Sequence, residues 1–585
     1  MITIELPNKW TTFLANMPET GMGYQLVKVI LKNGKILNNY KVLNSSLLLL
    51  EKDETLTKDD IAIVEVKIFS QLITPISYIL TSTPLMKHIL LFGAGKSATV
   101  LIDYLKDLAT ANICGVTVAD ENLETVQSKV GKHAFVKARQ ANVGIEFERQ
   151  SLVKDADVVI SLLPPSLHYL VALDCLHFSK HLLTASYVDE KIKALQNEIA
   201  AKKILFLCEM GLDPGIDHMS AMQLIDRIKA MGGTITSFKS HCGGLVAPES
   251  DDNPWHYKIS WNPKNIILAG KGGAVYKENG TEKTVQYEEL FTAGKMVNIN
   301  PEILLAYYPN RDSLGYIPLY GLEEADTFIR TTLRHPDFCF GWKNIVDLKL
   351  TDETYKYETN GMTLGEFFIT HLEKNNFTDW LNQTLTTRLT FAKELMDSLV
   401  QLMEAESEKS AEGKSAGGTI MLVDEKGDLN TLNREDIKGK AAETLAIKMH
   451  EASLTLKQLF FLGMDSDELI NKGNCTAAEI LQFILEKKLA LQPTDKDMVV
   501  MVHEIEYLLN GELHSLKSSL IVKGEDGIRT AMAKTVGLPL GIAAKLILEG
   551  KLVETGLHLP IIPSIYSPVL HELKAHGISF EEYEE

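Results

Sequence analysis

Cysteine is scarce in this chain of 585 residues: there are six, Cys114, Cys175, Cys208, Cys242, Cys339 and Cys475, and no two form a CxxC pair. That excludes a zinc-finger or disulfide framework, and scattered thiols in a long chain fit a reducing compartment. Basic residues are outnumbered, 59 against 77 acidic, leaving a formal net charge of -18. A nucleic-acid partner needs a basic face to displace counterions from phosphates, so none is expected. Long apolar runs are also missing. The most apolar early stretch, Ile68 to Leu80, is interrupted by Gln71, Thr74, Pro75 and Ser77, and it is too short to span a bilayer. The opening MITIELPNKW has no basic stretch leading into an apolar one, so no leader is expected. These absences predict a cytoplasmic protein without a membrane partner. The 16 histidines include no HExxH or similar close set, and no metal is expected. His218 could line a site but reads more readily as a hydrogen-bonded packing histidine, while His241 and His256 flank glycine- and proline-rich loops and stay ambiguous.

What is present is ordinary globular material. Apolar residues make up 45% and charged residues 23%, enough to bury a large core. Residues 1–67 read as a small β-rich module: strand Tyr24 to Leu31, an Asn33-Gly34 hairpin signal, Lys35 to Val42, and Ile61 to Val66. No catalytic set appears there. Residues 68–85 read as a linker. From 86 to 213, short apolar strands alternate with helical patterns: His88 to Phe92, Ile113 to Ala119, Val158 to Leu163, His181 to Thr184 and Ile204 to Cys208. Such alternation predicts a parallel sheet. Residues 214–370 mix strands and helices. Residues 371–524 read as mainly helical, with an exposed loop from Glu404 to Gly418, and 525–585 return to an α/β pattern.

The segment HILLFGAGKSATVLIDYL places Gly93-Ala94-Gly95-Lys96-Ser97-Ala98 between an apolar strand and an amphipathic helix. This is GxGxxA in the strand–turn–helix context of a dinucleotide site. Gly93 allows the tight turn, Gly95 lets backbone approach a pyrophosphate, and Ala98 lets helix and strand pack closely. The next strand ends at Asp120, placed to accept hydrogen bonds from ribose hydroxyls. A 2′-phosphate about 4 Å away would be repelled by about 4 kcal/mol at an effective dielectric of ~20. NAD is therefore expected over NADP. An ordinary strand-end acid facing water is the alternative.

Further runs carry more polar and turn chemistry than packing explains: VVISLLPPSLH (Val158 to His168), TASYVDE (Thr184 to Glu190), EMGLDPGIDH (Glu209 to His218) and HCGGLVAPESDDNPWHYKISW (His241 to Trp261). Asp213 before Pro214 equally suits a helix cap. Arg311 in AYYPNRDS and Arg330 and Arg334 in IRTTLR suit bidentate capture of carboxylates. Solvated surface arginines are the alternative.

In this order, SYV, GLDPGIDH, CGGLVAPES, the Ser-Trp pair, YPNRDS and the closing TAMAKTVGLPLGIAAKLILEGKL resemble saccharopine dehydrogenase of the glutamate-forming kind, also called saccharopine reductase. The resemblance spans residues 86–585 and leaves the first 85 without a counterpart. It implies an α/β fold in which a Rossmann domain, 86–213 completed by 525–585, is followed by an α/β substrate and dimerisation domain at 214–370 and a helical domain at 371–524. The implied reaction oxidises the secondary amine of saccharopine with NAD or NADP. Water then releases glutamate and 2-aminoadipate 6-semialdehyde. The implied substrate contacts are Ser186, Tyr187, Asp213, Arg311, Thr332, Leu333 and Arg334. Tyr187, Asp213 and Cys242 are the implied candidates for proton transfer, with no one of them assigned. Cofactor contacts extend the glycine-rich turn and Asp120 to Leu162, Ala185, Ser186, Leu212, Asp213, Pro214 and Asn262. A homodimer is implied as well. Two departures stand out: Ala185 occupies the threonine position of the family's TSYV, and Asp120 stands where fungal members that use NADP carry a basic residue. A relative acting on another carboxylated amine, such as carboxynorspermidine, and a non-catalytic NAD-binding regulatory protein stay open as alternatives.

Overall fold

In the computed structural model the chain divides into two units, residues 1–85 and 86–585. The structure describes residues 2–15, 24–33, 35–50, 55–66, 86–292, 294–379, 420–423, 429–432 and 453–584, with a few single positions between 386 and 451. Gly34, the linker at 68–85 and the expected loop from Glu404 to Gly418 lie outside them.

The first unit is a five-stranded antiparallel sheet in the order Ile2–Glu5, Leu47–Leu50, Ile36–Leu43, Tyr24–Leu31, Ile61–Val66. In YQLVKVIL every second residue is buried, the period of a half-covered strand. That face, with Val27, Val29 and Leu31, packs against Leu14 from the helix Asn8–Ala15. Strand Leu47–Leu50 escapes sequence reading because four leucines carry no alternation.

The second unit holds two large sheets. One has seven parallel strands in the order Gly556–His558, Leu205–Leu207, His181–Thr184, Val158–Ser161, His88–Phe92, Gly115–Asp120, Val136–Gln140. The order reverses beside His88–Phe92, which creates the crevice where such sheets take ligands. The five expected strands are all present. Val136–Gln140 was missed because VKARQ is an edge strand with only Val136 buried. The C-terminal stretch joins this sheet. Gly556–His558 extends the sheet, and the helix Ala531–Leu548 packs on Thr99–Thr110. Gly537 and Gly541 allow that approach, since a Cβ there would meet Leu101 and Tyr104 at 2.9 and 2.6 Å. Ala531–Leu548 is long and apolar enough to cross a membrane, but 78% of it is buried in the protein, as a core helix is.

The other sheet has ten strands, with Thr327–Arg334, Thr234–Val246, Asp497–Leu509 and Glu512–Lys523 at its centre. The last two form a long antiparallel hairpin, which corrects the mainly helical expectation for 371–524. Residues Asp497–His503 are all buried. With both faces covered, the strand loses its two-residue period and reads like a buried helix. Helices do occur nearby, at Leu364–Lys374 and Ala477–Lys488, each opened by a Thr–Glu capping box.

Candidate active site

The glycine-rich turn fits the dinucleotide reading atom by atom. Gly93 has φ +99°, and a Cβ there would lie 2.5 Å from the Leu162 carbonyl oxygen, so only glycine is accommodated. Around Gly95 a Cβ would meet nothing within 4 Å, which leaves space for a ligand against the backbone. Ala98 is buried, while Lys96 is exposed and Ser97 half-buried at the helix start. Asp120 reaches the same turn: its carboxylate accepts the Ala94 N–H at 2.8 Å and the Asn122 N–H at 3.0 Å. Lys129, which sequence reading missed, donates to the Gly95 carbonyl at 2.5 Å. Burial draws its ammonium pKa down, while the charge of Asp120 acts in the opposite sense.

Strand ends and the turn after Leu205–Leu207 bring a second group together. Asp213 does not cap the following helix. That helix, Ile216–Ala230, starts after Gly215, whose N–H is bound by Asp217 at 2.6 Å. The Asp213 carboxylate instead accepts from the Tyr187 hydroxyl at 3.2 Å and from Arg330 Nη2 at 2.6 Å. The same nitrogen bonds Asp217 at 2.6 Å. Arg330 is thus held inside the protein by two carboxylates rather than free to capture a ligand. Its guanidinium also lies 4.4 Å from the centre of the Tyr316 ring. Arg311 is exposed, at φ +51°, with its guanidinium 5.2 Å from the Tyr187 ring centre. Its exposure leaves it able to meet an incoming carboxylate.

The two buried carboxylates differ. Burial pushes Asp213 up, only partly offset by Arg330. Burial also acts on Asp217, but the neighbouring His218 and Arg330 charges outweigh it and hold it below the usual range. Asp217 therefore holds its charge more firmly, and Asp213 is the member of the pair that more readily takes up a proton. Its side chain is 13% exposed against 2% for Asp217, so it is also the one within reach. Burial drives Tyr187 well up, and the Asp213 charge adds to this. Burial and the same carboxylates push the Cys242 thiol up. Both are neutral hydrogen-bonding groups at ordinary pH.

Around them stands a hydrogen-bond network in which sequence reading gave no role to Glu209, Tyr316 or His168. Glu209, at φ +58°, accepts from His218 Nε2 at 2.9 Å, the Tyr316 hydroxyl at 3.0 Å and the Val188 N–H at 3.1 Å. His218 reaches the Tyr320 hydroxyl at 2.6 Å through its other nitrogen, so it is a hydrogen-bonded core histidine as expected. His168 bridges Ser161 and Ser186, 2.8 Å to each hydroxyl, and thereby fixes Ser186. Cys242 and Thr332 are register partners on adjacent parallel strands. Leu333 and Arg334 continue that strand. Arg334 is buried, stacked 5.4 Å from Tyr257 and 5.6 Å from Phe338, with its Nε lacking a hydrogen-bond partner. An unsatisfied buried donor on a cation points toward an acidic ligand. Leu162 and Leu212 border the turns described, and Ala185 lies 3.0 Å from where a Gly211 Cβ would stand. Pro214 follows Asp213 through a cis bond. Asn262 caps the helix Pro263–Leu268 by accepting the Lys264 N–H at 3.0 Å, and this contact does not tie it to the dinucleotide turn.

Residues 89–207 match the family described as saccharopine dehydrogenase NADP binding domain. Residues 211–441 and 425–578 match the saccharopine dehydrogenase C-terminal domain. Saccharopine dehydrogenase (NADP(+), L-glutamate-forming) of Saccharomyces cerevisiae is 33% identical over 500 residues, 85% of this chain and 99% of the yeast protein. The alpha-aminoadipic semialdehyde synthases of Arabidopsis thaliana and Rattus norvegicus are each 31% identical, and there the chain spans only 44% and 47% of the relative's length. The solved apo structure of the yeast L-Glu-forming saccharopine dehydrogenase superposes with a TM-score of 0.67 at 29% identity, covering 85% of this chain and all of that one. By these matches the chain belongs to the saccharopine dehydrogenase family.

Proposed function

We propose that this protein oxidises the secondary amine of saccharopine with a nicotinamide dinucleotide and water, yielding glutamate and 2-aminoadipate 6-semialdehyde. The observation that carries the reading is the pairing of Asp213, protonatable and partly exposed, with exposed Arg311 across the Tyr187 ring. One group can take a proton and the other can hold a carboxylate, beside a turn shaped for a dinucleotide. The relatives' names supply the substrate.

When bound, the dinucleotide accepts the hydride that leaves carbon. The residues of this chain manage the rest. Amines of this kind are protonated at neutral pH, and hydride cannot leave until nitrogen has a lone pair. Asp213 accepts that proton, because its own pKa is raised by burial toward the working range. Tyr187 donates a hydrogen bond to Asp213 and steadies it. Loss of hydride from the neutral amine leaves a C=N bond that still carries its N–H proton. Water adds to it, and the carbinolamine splits C–N to release amine and aldehyde, with one proton set free overall. Arg311 and Arg334 are assigned to carboxylates of the substrate, which has three.

We further propose a preference for NAD. A carboxylate at Asp120 accepts ribose hydroxyls and repels a 2′-phosphate. Lys129 stands against the same turn and offsets part of that repulsion, so discrimination is expected to be modest. Asp120→Ala should weaken NAD and narrow the gap to NADP; equal NAD and NADP kinetics before and after the change would remove Asp120 from this role. The test of the whole reading is reduction of NAD, and separately NADP, by the purified chain with saccharopine, with glutamate assayed in parallel. Matching NAD(P)H and glutamate are expected. Dinucleotide binding without saccharopine-dependent reduction would overturn the substrate and leave the other carboxylated amines and the regulatory reading.

A further inference from the structure

Residues far apart in sequence meet where the strand Thr327–Arg334 ends. His335 caps the helix Pro336–Asp347, and the loop after Thr234–Val246 lays His256 on it. The two imidazoles stack with centroids 4.0 Å apart. One donor atom each from His256, His335 and Asp337 lies within 4.8 Å of the other two. His256 Nε2 stands 3.4 Å from Asp337 Oδ2, and His450 Nε2 stands 3.3 Å from the same carboxylate. Those separations are long for hydrogen bonds but match the edge of a tetrahedron around zinc, about 3.3 Å for ligands ~2.05 Å from the ion.

We propose that His256, His335 and Asp337 form a site for one divalent transition-metal ion of the zinc class, oriented by Asp251. The orienting contact is on the other side of the His256 ring: Nδ1 lies 2.6 Å from Asp251 Oδ2. Nδ1–H donation to a carboxylate is the support that metal-bound histidines use, and an ion takes the Nε2 position by displacing the proton that Nε2 shares with Asp337. Asp251 Oδ1 is buried without a hydrogen-bond partner, so one imidazole does not satisfy this side chain's acceptors. His335 supplies the second imidazole, stacked on the first. Its Nδ1 accepts the Asp337 N–H at a long 3.2 Å, a contact an ion can displace. Two imidazoles with a carboxylate select zinc-like ions over magnesium or calcium, which prefer all-oxygen shells. His256, Asp337 and Asp251 are 32%, 18% and 21% exposed at their side chains, sheltered yet open to entry. Three protein ligands would leave the fourth position of a tetrahedral ion to water, and His450 Nε2 stands 3.3 Å from Asp337 beside it.

The placement gives the ion a purpose. His256 precedes Tyr257, Asp337 precedes Phe338 and His335 follows Arg334. Tyr257 and Phe338 are the two rings that flank the Arg334 guanidinium. An ion there ties the loop to the helix start and fixes Arg334 between its rings.

The test uses the full chain, stripped with chelator, titrated by calorimetry with zinc chloride and, for contrast, magnesium chloride. One zinc per chain and no magnesium are expected, with a proton released as the ion replaces the one held between His256 and Asp337. Asp251→Asn should weaken zinc by about 10–100-fold, as loss of an orienting partner does. His256→Gln should weaken it by at least about as much. Cobalt chloride on the unaltered chain gives a readout independent of any variant's folding: tetrahedral nitrogen–oxygen absorption without a thiolate charge-transfer band. No zinc binding, zinc binding unchanged in both variants, or a thiolate band each overturns the proposal.

Discussion

Replacing Arg330 by Gln withdraws the guanidinium nitrogen that Asp213 and Asp217 share. Each carboxylate bonds that nitrogen at 2.6 Å, so the two oxygens are no more than about 5 Å apart. At an effective dielectric of ~20, two unit charges at that distance repel by about 3 kcal/mol. The mutant must either bear this repulsion or protonate one carboxylate. Removing one partner from a buried ion pair costs about 3–5 kcal/mol in general, and the same range is expected here. Urea unfolding followed by tryptophan fluorescence measures it, with Trp255, Trp261 and Trp342 all in the second unit. The loss should shrink with falling pH. In the mutant, the pKa of Asp213 rises further above its unfolded value, so the folded state binds the extra proton and gains as pH drops from 7.5 toward 5. Asp217→Asn in the same chain removes the repulsion and should return about 2–3 kcal/mol, a coupling expected only of neighbours. A loss below about 1 kcal/mol, a loss independent of pH, or no rescue by Asp217→Asn would mean that the carboxylates are not jointly charged. The assignment of Asp213 as proton acceptor would then fall with it.

Arg311→Ala should raise the KM for saccharopine by about tenfold or more, the equivalent of ~1.4 kcal/mol, with that for the dinucleotide little changed; an unmoved substrate KM in steady-state kinetics removes Arg311 from the site. Gly93→Ala places a Cβ 2.5 Å from the Leu162 carbonyl at φ +99° and should cost about 1–3 kcal/mol while abolishing dinucleotide binding, read by fluorescence titration. His503 is fully buried and held neutral by burial, its pKa drawn from 6.5 to about 4. The unfolded state takes up the proton first, so stability present above pH 6.5 is lost as pH falls toward 4, by up to about 3 kcal/mol. His503→Gln should flatten that part of a plot of urea midpoint against pH, and an unaltered slope would mean the ring is charged in the folded state.

Legibility in the sequence followed the range of each interaction. The dinucleotide turn was readable because its glycines, strand and helix are contiguous and its chemistry is backbone chemistry. The parallel strands were readable where they are buried on both faces and short, as in His88–Phe92 and His181–Thr184. The hairpin Asp497–Lys523 was misread for the same physical reason turned around: thirteen residues of strand, mostly covered on both faces, have no period to distinguish them from a helix. Arg334 and Arg311 were marked as carboxylate ligands, and Arg330 with them, since a sequence cannot say which arginine is already paired.

That last ambiguity explains how the site divides its labour. Three cations lie on adjoining stretches, yet only the fold decides their roles. Arg330 on the central strand meets Asp213 and Asp217 from the turn and helix after Leu205–Leu207, and is consumed in fixing their charge. Arg311 sits at a short edge strand, forms no ion pair among the described residues and stays exposed. A site that must hold an anionic substrate and also accept a proton needs both arrangements. A free cation beside Asp213 would lower its pKa and spoil it as an acceptor. A cation shared with Asp217 leaves Asp213 structurally anchored while the second carboxylate keeps its proton affinity high. Asp217 is therefore as necessary to the proposed proton transfer as Asp213, although it need never touch the substrate.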